Sequence, residues 1–202
     1  MTREPLNLDG YTDVPDGKIA SVVTFLEMTE KAALKPVEQP DVALLRMDEP
    51  DIDWYRTLFR RIGTDWMWFS RLAMADNEVV GILNDPRVEV HVLARQSCQQ
   101  GLLELDFRDP QNVELAYFGL VPEAIGSGLG RWLMNEAIEK VWSRPETRRL
   151  SVHTCTLDGP MALDFYRRSG FVPYKRSIEI VDDPRLSGML PRSAAPQHPL
   201  IV

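Results

Sequence analysis

The chain has 202 residues, of which 44% are hydrophobic and 26% are charged, and its net charge is -7. This size predicts one globular domain with a sizeable core, and the acidic balance without a long basic cluster argues against a nucleic-acid-binding surface. No apolar run is long enough for a membrane-spanning helix, and the basic, apolar start of a signal peptide is missing, so we expect a cytoplasmic protein without a membrane partner. Two distant cysteines and three histidines favour neither disulfides nor a metal site.

Composition divides the chain into a leader, a domain and a tail. Residues 1–17 show no period, and the β-branched and aromatic stretch 18–29 predicts the first strand. From residue 182 onward, prolines alternate with serine, alanine and glycine without a pattern. We therefore expect an N-terminal leader over 1–17, a domain over 18–181 and a loosely ordered tail over 182–202.

Two helices are predicted after the first strand. Apolar residues recur at helical spacing behind Asp51 or Asp53, either of which can cap the helix, and Gly63 ends it. A second short helix is expected between Asp76 and Pro86. No further element is predicted in the proline-punctuated stretch between the first strand and the first helix.

The second half of the chain predicts an antiparallel meander followed by a strand, helix, strand unit. Three strand-like runs are separated by short polar turns, as in a meander. An apolar face at helical spacing then follows a glycine-rich stretch. The predicted elements are strands over 88–95, 100–107 and 113–121, a helix over 129–142, a strand over 148–156, a short helix ending at Gly170 and a last strand over 171–181.

The stretch IGSGLGR, residues 125–131, combines glycines with the start of a helix. Glycine lets the backbone approach a phosphate closely, and the first helical turn leaves N–H groups without internal partners. A P-loop would require GxxxxGK[ST], which is absent. A dinucleotide fingerprint starting at Gly126 would require glycine where Arg131 stands, so that reading is weak. An anion site of another kind is expected here.

The segment Ile125–Gly130 resembles the signature region of the GCN5-related N-acetyltransferase (GNAT) superfamily. That signature runs Gln or Arg, two variable residues, Gly, one variable residue, then Gly or Ala, and Gly128 and Gly130 match it. Ile125 stands where the family usually has Gln or Arg, so the phosphate site would depend on the backbone, with Arg131 as a compensating charge.

Features farther along the chain follow the order of the same family. The helix that carries the tyrosine of the family corresponds to the helix with Tyr166, and the Gly-Phe pair that enters the last strands corresponds to Gly170 and Phe171. The resemblance covers about residues 18–181 and is strongest over 112–174. It implies an α/β (α+β) fold with a mixed, mostly antiparallel sheet of about seven strands flanked by helices.

The resemblance also implies a reaction and its ligands. Acetyl-CoA would be the cosubstrate, without a metal, and the acceptor would be a primary amine of a small molecule, peptide or protein lysine that attacks directly in a ternary complex. A homodimer is possible. The alternative is a catalytically idle module that binds acyl-CoA for regulation, which the unusual residues Ile125 and Asp158 would favour.

The family pattern assigns roles to residues of this chain. Tyr166 corresponds to the tyrosine that protonates the departing thiolate, and Glu114 is the first candidate for the base, with Glu104 on the neighbouring strand as the second. Glu114, Ala116 and Phe118 are expected to share one strand face. The cofactor-binding residues expected from the resemblance are Phe118, Gly119, Leu120, Ile125, Gly126, Ser127, Gly128, Leu129, Gly130, Arg131, Asp158 and Tyr166.

Other patterns near these residues have simpler interpretations. Gly119 is a plausible bulge position in a strand that splays from its neighbour. His153 and Cys155 share a strand face, which allows a proton relay or a Cys nucleophile, although a buried Cys beside a hydrogen-bonded His is the simpler interpretation. The aromatic-rich stretch 54–69 can line an acceptor wall, but packing of helices on the sheet explains most of it.

Overall fold

The protein folds around a single sheet. The computed structural model describes residues 6–7, 9–38 and 41–202, and within them seven strands are ordered β2-β3-β4-β5-β6-β1-β7. All neighbouring pairs in this sheet are antiparallel except β5 and β6. The mixed, mostly antiparallel seven-stranded sheet is therefore confirmed. The strands are Lys18–Met28 (β1), Val42–Met47 (β2), Val88–Arg95 (β3), Cys98–Asp106 (β4), Asn112–Leu120 (β5), Arg149–Cys155 (β6) and Val172–Asp182 (β7).

The helices agree with the sequence prediction except for one short addition. Asp51 is the N-cap of the first helix, where its side chain accepts a hydrogen bond from the backbone N–H of Trp54. The four-residue helix α2 and the strand β2 were not predicted. The helices are Ile52–Gly63 (α1), Ser70–Ala73 (α2), Asp76–Leu83 (α3), Leu129–Trp142 (α4) and Ala162–Arg168 (α5).

Helices cover both faces of the sheet. On the face that we call the α1 face, Phe59 of α1 packs edge-on against Tyr117 of β5, with ring centroids 4.9 Å apart. On the opposite face, which we call the α5 face, Phe165 of α5 stacks on Phe118, the next residue of the same strand, at 5.6 Å. Strand β5 therefore contributes to the core on both sides.

A β-bulge in β5 changes which side chains share a face. Leu105 of β4 pairs with Leu115, and the next residue, Glu104, pairs with Tyr117, so Ala116 is the extra residue. The expectation that the bulge lies at Gly119 is wrong. The bulge also interrupts the alternation of side chains, so Phe118 faces α5 while Glu114 lies on the α1 face, and the prediction that these two residues share a face is wrong.

The first strand lies inside the sheet although it comes first in the chain. β1 pairs with β6 from Val23 to Met28 and with β7 from Lys18 to Glu27. Leu26 and Met28 are buried in the main core. The register to β7 shifts between Phe25 and Leu26, which makes Tyr174 the extra residue of β7. β7 therefore joins the sheet only through β1.

The segment after β7 has no helix or strand, but it packs against the sheet. Leu190, Ala194 and Ala195 are buried in a second apolar cluster with Ile19 of β1 and Met67, which follows α1. This packing differs from the loosely ordered tail expected from its composition. The domain limits 18–181 stay a prediction, and residues 1–5 and 8 of the expected leader lie outside the described residues.

A buried ion pair fastens this segment. Arg185 donates to the carboxylate of Asp183 through Nε and Nη2, and through Nη1 to the backbone carbonyl of His198 at 2.8 Å. Both charged side chains are only 2% exposed. No helix in the described part of the chain is long and apolar enough to cross a membrane.

The first prediction concerns this ion pair. We expect Arg185→Met to lower the free energy of unfolding by about 3 kcal/mol, because it leaves the carboxylate of Asp183 buried without its partner. Urea denaturation measures the change. The control is Arg192→Met in the same segment, where the side chain is exposed and the expected change is below about 0.5 kcal/mol. Equal stability of the two variants would contradict the buried anchor.

Candidate active site

Strands β5 and β6 diverge soon after they meet. They pair in parallel only from Asn112–Arg149 to Glu114–Ser151. Beyond that point β5 remains paired with β4 as far as Leu120, and β6 remains paired with β1. The side of β5 that faces β6 is therefore unpaired over residues 115–120. We call the resulting opening the β5–β6 crevice.

The glycine loop lies where this crevice meets α4. Gly126 and Gly128 have φ of 83° and 85°, which the absence of a side chain allows. Among the described residues, no backbone or side-chain acceptor is found for the amide N–H groups of Gly126, Gly128, Leu129 and Gly130. The loop is exposed at Gly126, and a Cβ at that residue would meet no atom within 4 Å. Four unpaired donors at a helix N-terminus form a suitable site for an anion.

Arg131 brings a positive charge close to the loop, but its guanidinium is held by other residues. The Nη1 of Arg131 donates to Ser169 Oγ at 2.9 Å, and its guanidinium lies 5.1 Å from the ring centroid of Phe165. Burial, and next the charge of Arg168, lower the pKa of Arg131. Ile125 has an exposed fraction of 56% and carries no charge to the loop. An anion at this position would relieve the repulsion between the two arginines.

Tyr166 lies beneath the crevice on the α5 face. Its ring packs edge-on against Phe118 and Phe171, with centroids 6.3 Å and 5.8 Å away. Burial, and next the charge of Asp158, raise the pKa of the phenol well above its usual range. Its hydroxyl makes no hydrogen bond to any described residue. The phenol is therefore protonated at neutral pH and available to a ligand.

Glu114 lies on the α1 face at the point of divergence. Its Oε1 is 3.6 Å from Nδ1 of His153, and the two side chains are 46% and 51% exposed. The carboxylate of Glu114 raises the pKa of His153, against the opposing effect of burial. Both candidates for proton transfer thus form one exposed pair.

Tyr117, which the sequence did not single out, is a third polar group on this face. Its hydroxyl is 2.5 Å from Ser70 Oγ, and burial raises its pKa, with a smaller contribution from Glu114. Arg71 lies 5.0 Å from its ring centroid. The bulge at Ala116 places Tyr117 on the same face as Glu114, and no local sequence signal indicates that bulge.

Glu104, the second candidate for the base, is part of a buried polar cluster in the core. It is fully buried, accepts a hydrogen bond from Tyr55 Oη at 2.5 Å and forms an ion pair with Arg71. The same carboxylate raises the pKa of Tyr55, after the larger effect of burial. Because Glu104 is fully buried and both of its oxygens are already engaged by Tyr55 and Arg71, an acceptor amine cannot reach it, so the exposed Glu114 is the better candidate.

Asp158 stabilises the turn that follows β6. Asp158 Oδ2 accepts hydrogen bonds from Thr154 Oγ1 at 2.5 Å and from the backbone N–H of Cys155 at 3.0 Å. These bonds close the turn, and a cofactor contact of Asp158 stays a prediction. Burial raises the pKa of the Cys155 thiol, which disfavours the thiolate that a nucleophile would require.

The aromatic-rich stretch mostly builds core. Tyr55 and Phe59 are fully buried, and Trp68 packs on Phe59 with ring centroids 5.2 Å apart. A Cβ at Gly119 would lie 2.5 Å from Ile62 and 2.8 Å from Trp68, so this glycine is needed for close packing. Within the described residues, no group of three or more His, Cys, Asp or Glu side chains could hold a metal ion.

The fold and the arrangement of the glycine loop beside the β5–β6 crevice are those expected from the resemblance to the GNAT superfamily, and comparison with known proteins tests that resemblance. The profile of the "Acetyltransferase (GNAT) family" matches residues 33–171. The chain therefore belongs to the GNAT acetyltransferase family. No curated protein matches the sequence.

Solved structures with the same fold are distant in sequence. A tandem GNAT protein from the clavulanic acid biosynthesis pathway aligns with a TM-score of 0.58 and 16% identity, over 85% of this chain and 55% of that one. A GCN5-related N-acetyltransferase from Kribbella flavida gives 0.54 and 14%, over 85% and 63%. A conserved protein of unknown function from Staphylococcus epidermidis gives 0.53 and 17%, over 83% and 63%. This chain thus spans less than two thirds of each of these proteins.

The second prediction concerns the pair Glu114 and His153. In an NMR titration of the histidine ring protons, we expect the pKa of His153 to lie above its ordinary value of about 6.5 and to fall in Glu114→Gln, because the nearby carboxylate favours the imidazolium. His153→Gln assigns the resonance.

The same pair should make the stability of the protein depend on pH. A pKa raised by folding stabilises the protein fully below the unfolded value and loses this effect as the pH rises through the folded value. The melting temperature of the wild type should therefore exceed that of Glu114→Gln by more at pH 6 than at pH 9. Parallel curves, together with an unchanged histidine titration, would contradict the pairing.

Proposed function

We propose that the protein is an N-acetyltransferase that transfers the acetyl group of acetyl-CoA to a primary amine of a small molecule, a peptide or a protein lysine. The observation that carries the proposal is the set of unpaired amides at Gly126, Gly128, Leu129 and Gly130, next to the unpaired edge of β5. A diphosphate suits four free N–H donors in a loop at a helix N-terminus. An extended amide-containing arm matches an unpaired strand edge.

These residues divide the binding of the cosubstrate among them. The loop from Ile125 to Arg131 would hold the diphosphate through its backbone, and Ser127 lies within it. The residues Phe118, Gly119 and Leu120 would offer backbone groups to the pantetheine amides. A Cβ at Gly130 would be 3.7 Å from Leu120 Cδ1, which places the loop directly beside the end of this strand. Positioning the thioester beside an amine can lower the barrier by about 7–11 kcal/mol.

Proton transfer is assigned to groups on opposite faces of the sheet. An alkyl amine with a pKa near 10.4 is about four parts in ten thousand neutral at pH 7, so a base is needed. Glu114 would take the amine proton on the α1 face, and His153 at 3.6 Å would pass it to solvent. Nitrogen forms the bond to the carbonyl carbon, the carbon–sulfur bond breaks, and Tyr166 would protonate the thiolate from the α5 face.

The third prediction tests the phosphate site. We expect Ile125→Asp to raise the dissociation constant for acetyl-CoA about 10-fold relative to Ile125→Asn, since an added carboxylate competes for the free N–H groups and repels the diphosphate. Calorimetry gives both constants. For the wild type, acetyl-CoA at 100 times its dissociation constant should stabilise the fold by about 2.7 kcal/mol, and CoA should stabilise it less. Equal affinities of the two variants would contradict this position for the diphosphate.

The fourth prediction tests Tyr166. We expect Tyr166→Phe to lower kcat about 100-fold, because it removes the acid while keeping the ring that packs on Phe118, and to leave the dissociation constant of acetyl-CoA nearly unchanged. Release of the CoA thiol over a panel of amines measures the rate. Tyr11→Phe is the control, because the side chain of Tyr11 is 98% exposed and lies in the segment before β1. A rate equal to wild type in Tyr166→Phe would remove the assignment. Binding of acetyl-CoA without any thiol release would indicate the regulatory module instead.

A further inference from the structure

A row of three side chains crosses the open part of the α1 face next to Glu114. His153 of β6 pairs with Phe25 of β1, which pairs with Lys175 of β7. The ring centroid of Phe25 is 5.8 Å from that of His153 and 4.8 Å from Nζ of Lys175. The row therefore presents an imidazole, an apolar ring and an ammonium in sequence. We call it the His–Phe–Lys row.

The row is exposed in the described structure. His153 and Lys175 are exposed and Phe25 is half-buried. The segment after β7 covers the sheet only farther along, around Ile19 and Val181. A ligand that enters the β5–β6 crevice from the α1 face can therefore lie along the row.

Of the cations beside the row in the described structure, Lys175 has no carboxylate partner. Arg149 forms an ion pair with Glu27 at 2.6 Å and lies 4.6 Å from the ring centroid of Tyr174. Glu114 is paired with His153. Within the described residues, no carboxylate lies within 4 Å of the ammonium of Lys175. Lys175 is thus the free cation at the far end of the row.

We propose that the His–Phe–Lys row selects an acceptor in which the primary amine is joined by a short apolar linker to a carboxylate, an inference that rests on the proposed function. The amine would lie beside Glu114 and His153, the linker on the ring of Phe25 and the carboxylate on Lys175. The ring of Phe25 lies 5.8 Å from the imidazole of His153 and 4.8 Å from Nζ of Lys175, and the two ends are separated by no more than these two steps, so a linker of about four to six methylenes spans the row. An α-amino acid is too short to reach both ends.

The fifth prediction tests this acceptor class with unbranched ω-amino acids, from glycine to 8-aminooctanoate, against n-alkylamines of equal length. We expect kcat/KM for thiol release to be highest near 6-aminohexanoate and at least 10-fold above that of the matching alkylamine. In Lys175→Met this ratio should fall to about one, and Lys175→Arg should restore part of it. Arg176→Met is the control, because Arg176 is the next residue of β7 and points to the opposite face; it should keep the ratio of the wild type.

A second measurement separates this inference from the proposed function. Calorimetry with 6-aminohexanoate in the presence of CoA reports binding without turnover, and we expect at least 10-fold weaker binding to Lys175→Met than to Arg176→Met. Binding that depends on Lys175 but without thiol release for any amine would support the row and overturn the proposed activity. Thiol release with equal kcat/KM for the amino acids and alkylamines, or equal binding to both variants, would overturn the row.

Discussion

The separation of β5 from β6 after three residue pairs is the constraint on which the site depends. Each strand remains hydrogen-bonded on its far side, β5 to β4 and β6 to β1, so neither can move to close the gap without breaking a ladder. An unpaired strand edge in a protein interior has an energetic cost unless water or a ligand satisfies its amides. The crevice therefore keeps a set of backbone donors and acceptors that no neighbouring strand uses.

Buried polar contacts hold the β5 side of this opening. On the β5 side, the bulge at Ala116 lies beside Glu104, whose carboxylate ties Tyr55 of α1 and Arg71 of α2 to the sheet. Such a cluster fixes geometry because each buried charge needs its partner. It explains why a carboxylate close to the crevice serves the structure rather than the chemistry.

The position of α4 has a similar explanation at its far end. Arg144, which follows the helix, pairs with Glu89 of β3 and lies 3.4 Å from the ring centroid of Phe107. A hydrogen bond from His91 lowers the pKa of Glu89 to about 2, with the nearby positive charges acting in the same direction. Burial of the carboxylate opposes this shift. Anchoring the C-terminal end of the helix fixes the direction of its N-terminal end, where the glycine loop presents its amides.

Local sequence patterns predicted most of the helices and strands. Features that depend on contacts between different elements could not be predicted from them. Helix α4 begins and ends where its periodicity placed it, and the glycine loop could be recognised because positive φ and free amides are local properties. The short strand β2 has no clear alternation, since its burial depends on β3. The insertion of β1 between β6 and β7 and the packing of the C-terminal segment depend on contacts across more than 80 residues, and the bulge at Ala116 depends on the register between β4 and β5. The pair Glu114–His153 belongs to this second group, because a strand register brings it together.

The match to the family model leaves out the first and the last strand of the sheet. It covers residues 33–171, which include the glycine loop, Tyr166 and Glu114 but neither β1 nor β7. Phe25 lies on β1 and Lys175 on β7. The matched range thus holds the groups that we propose for acetyl transfer, together with His153, whereas Phe25 and Lys175 of the His–Phe–Lys row lie outside it. In a chain with net charge -7, the proposed site for an anionic cosubstrate uses uncharged backbone donors, and the proposed site for the carboxylate of the acceptor uses Lys175, which has no carboxylate partner among the described residues.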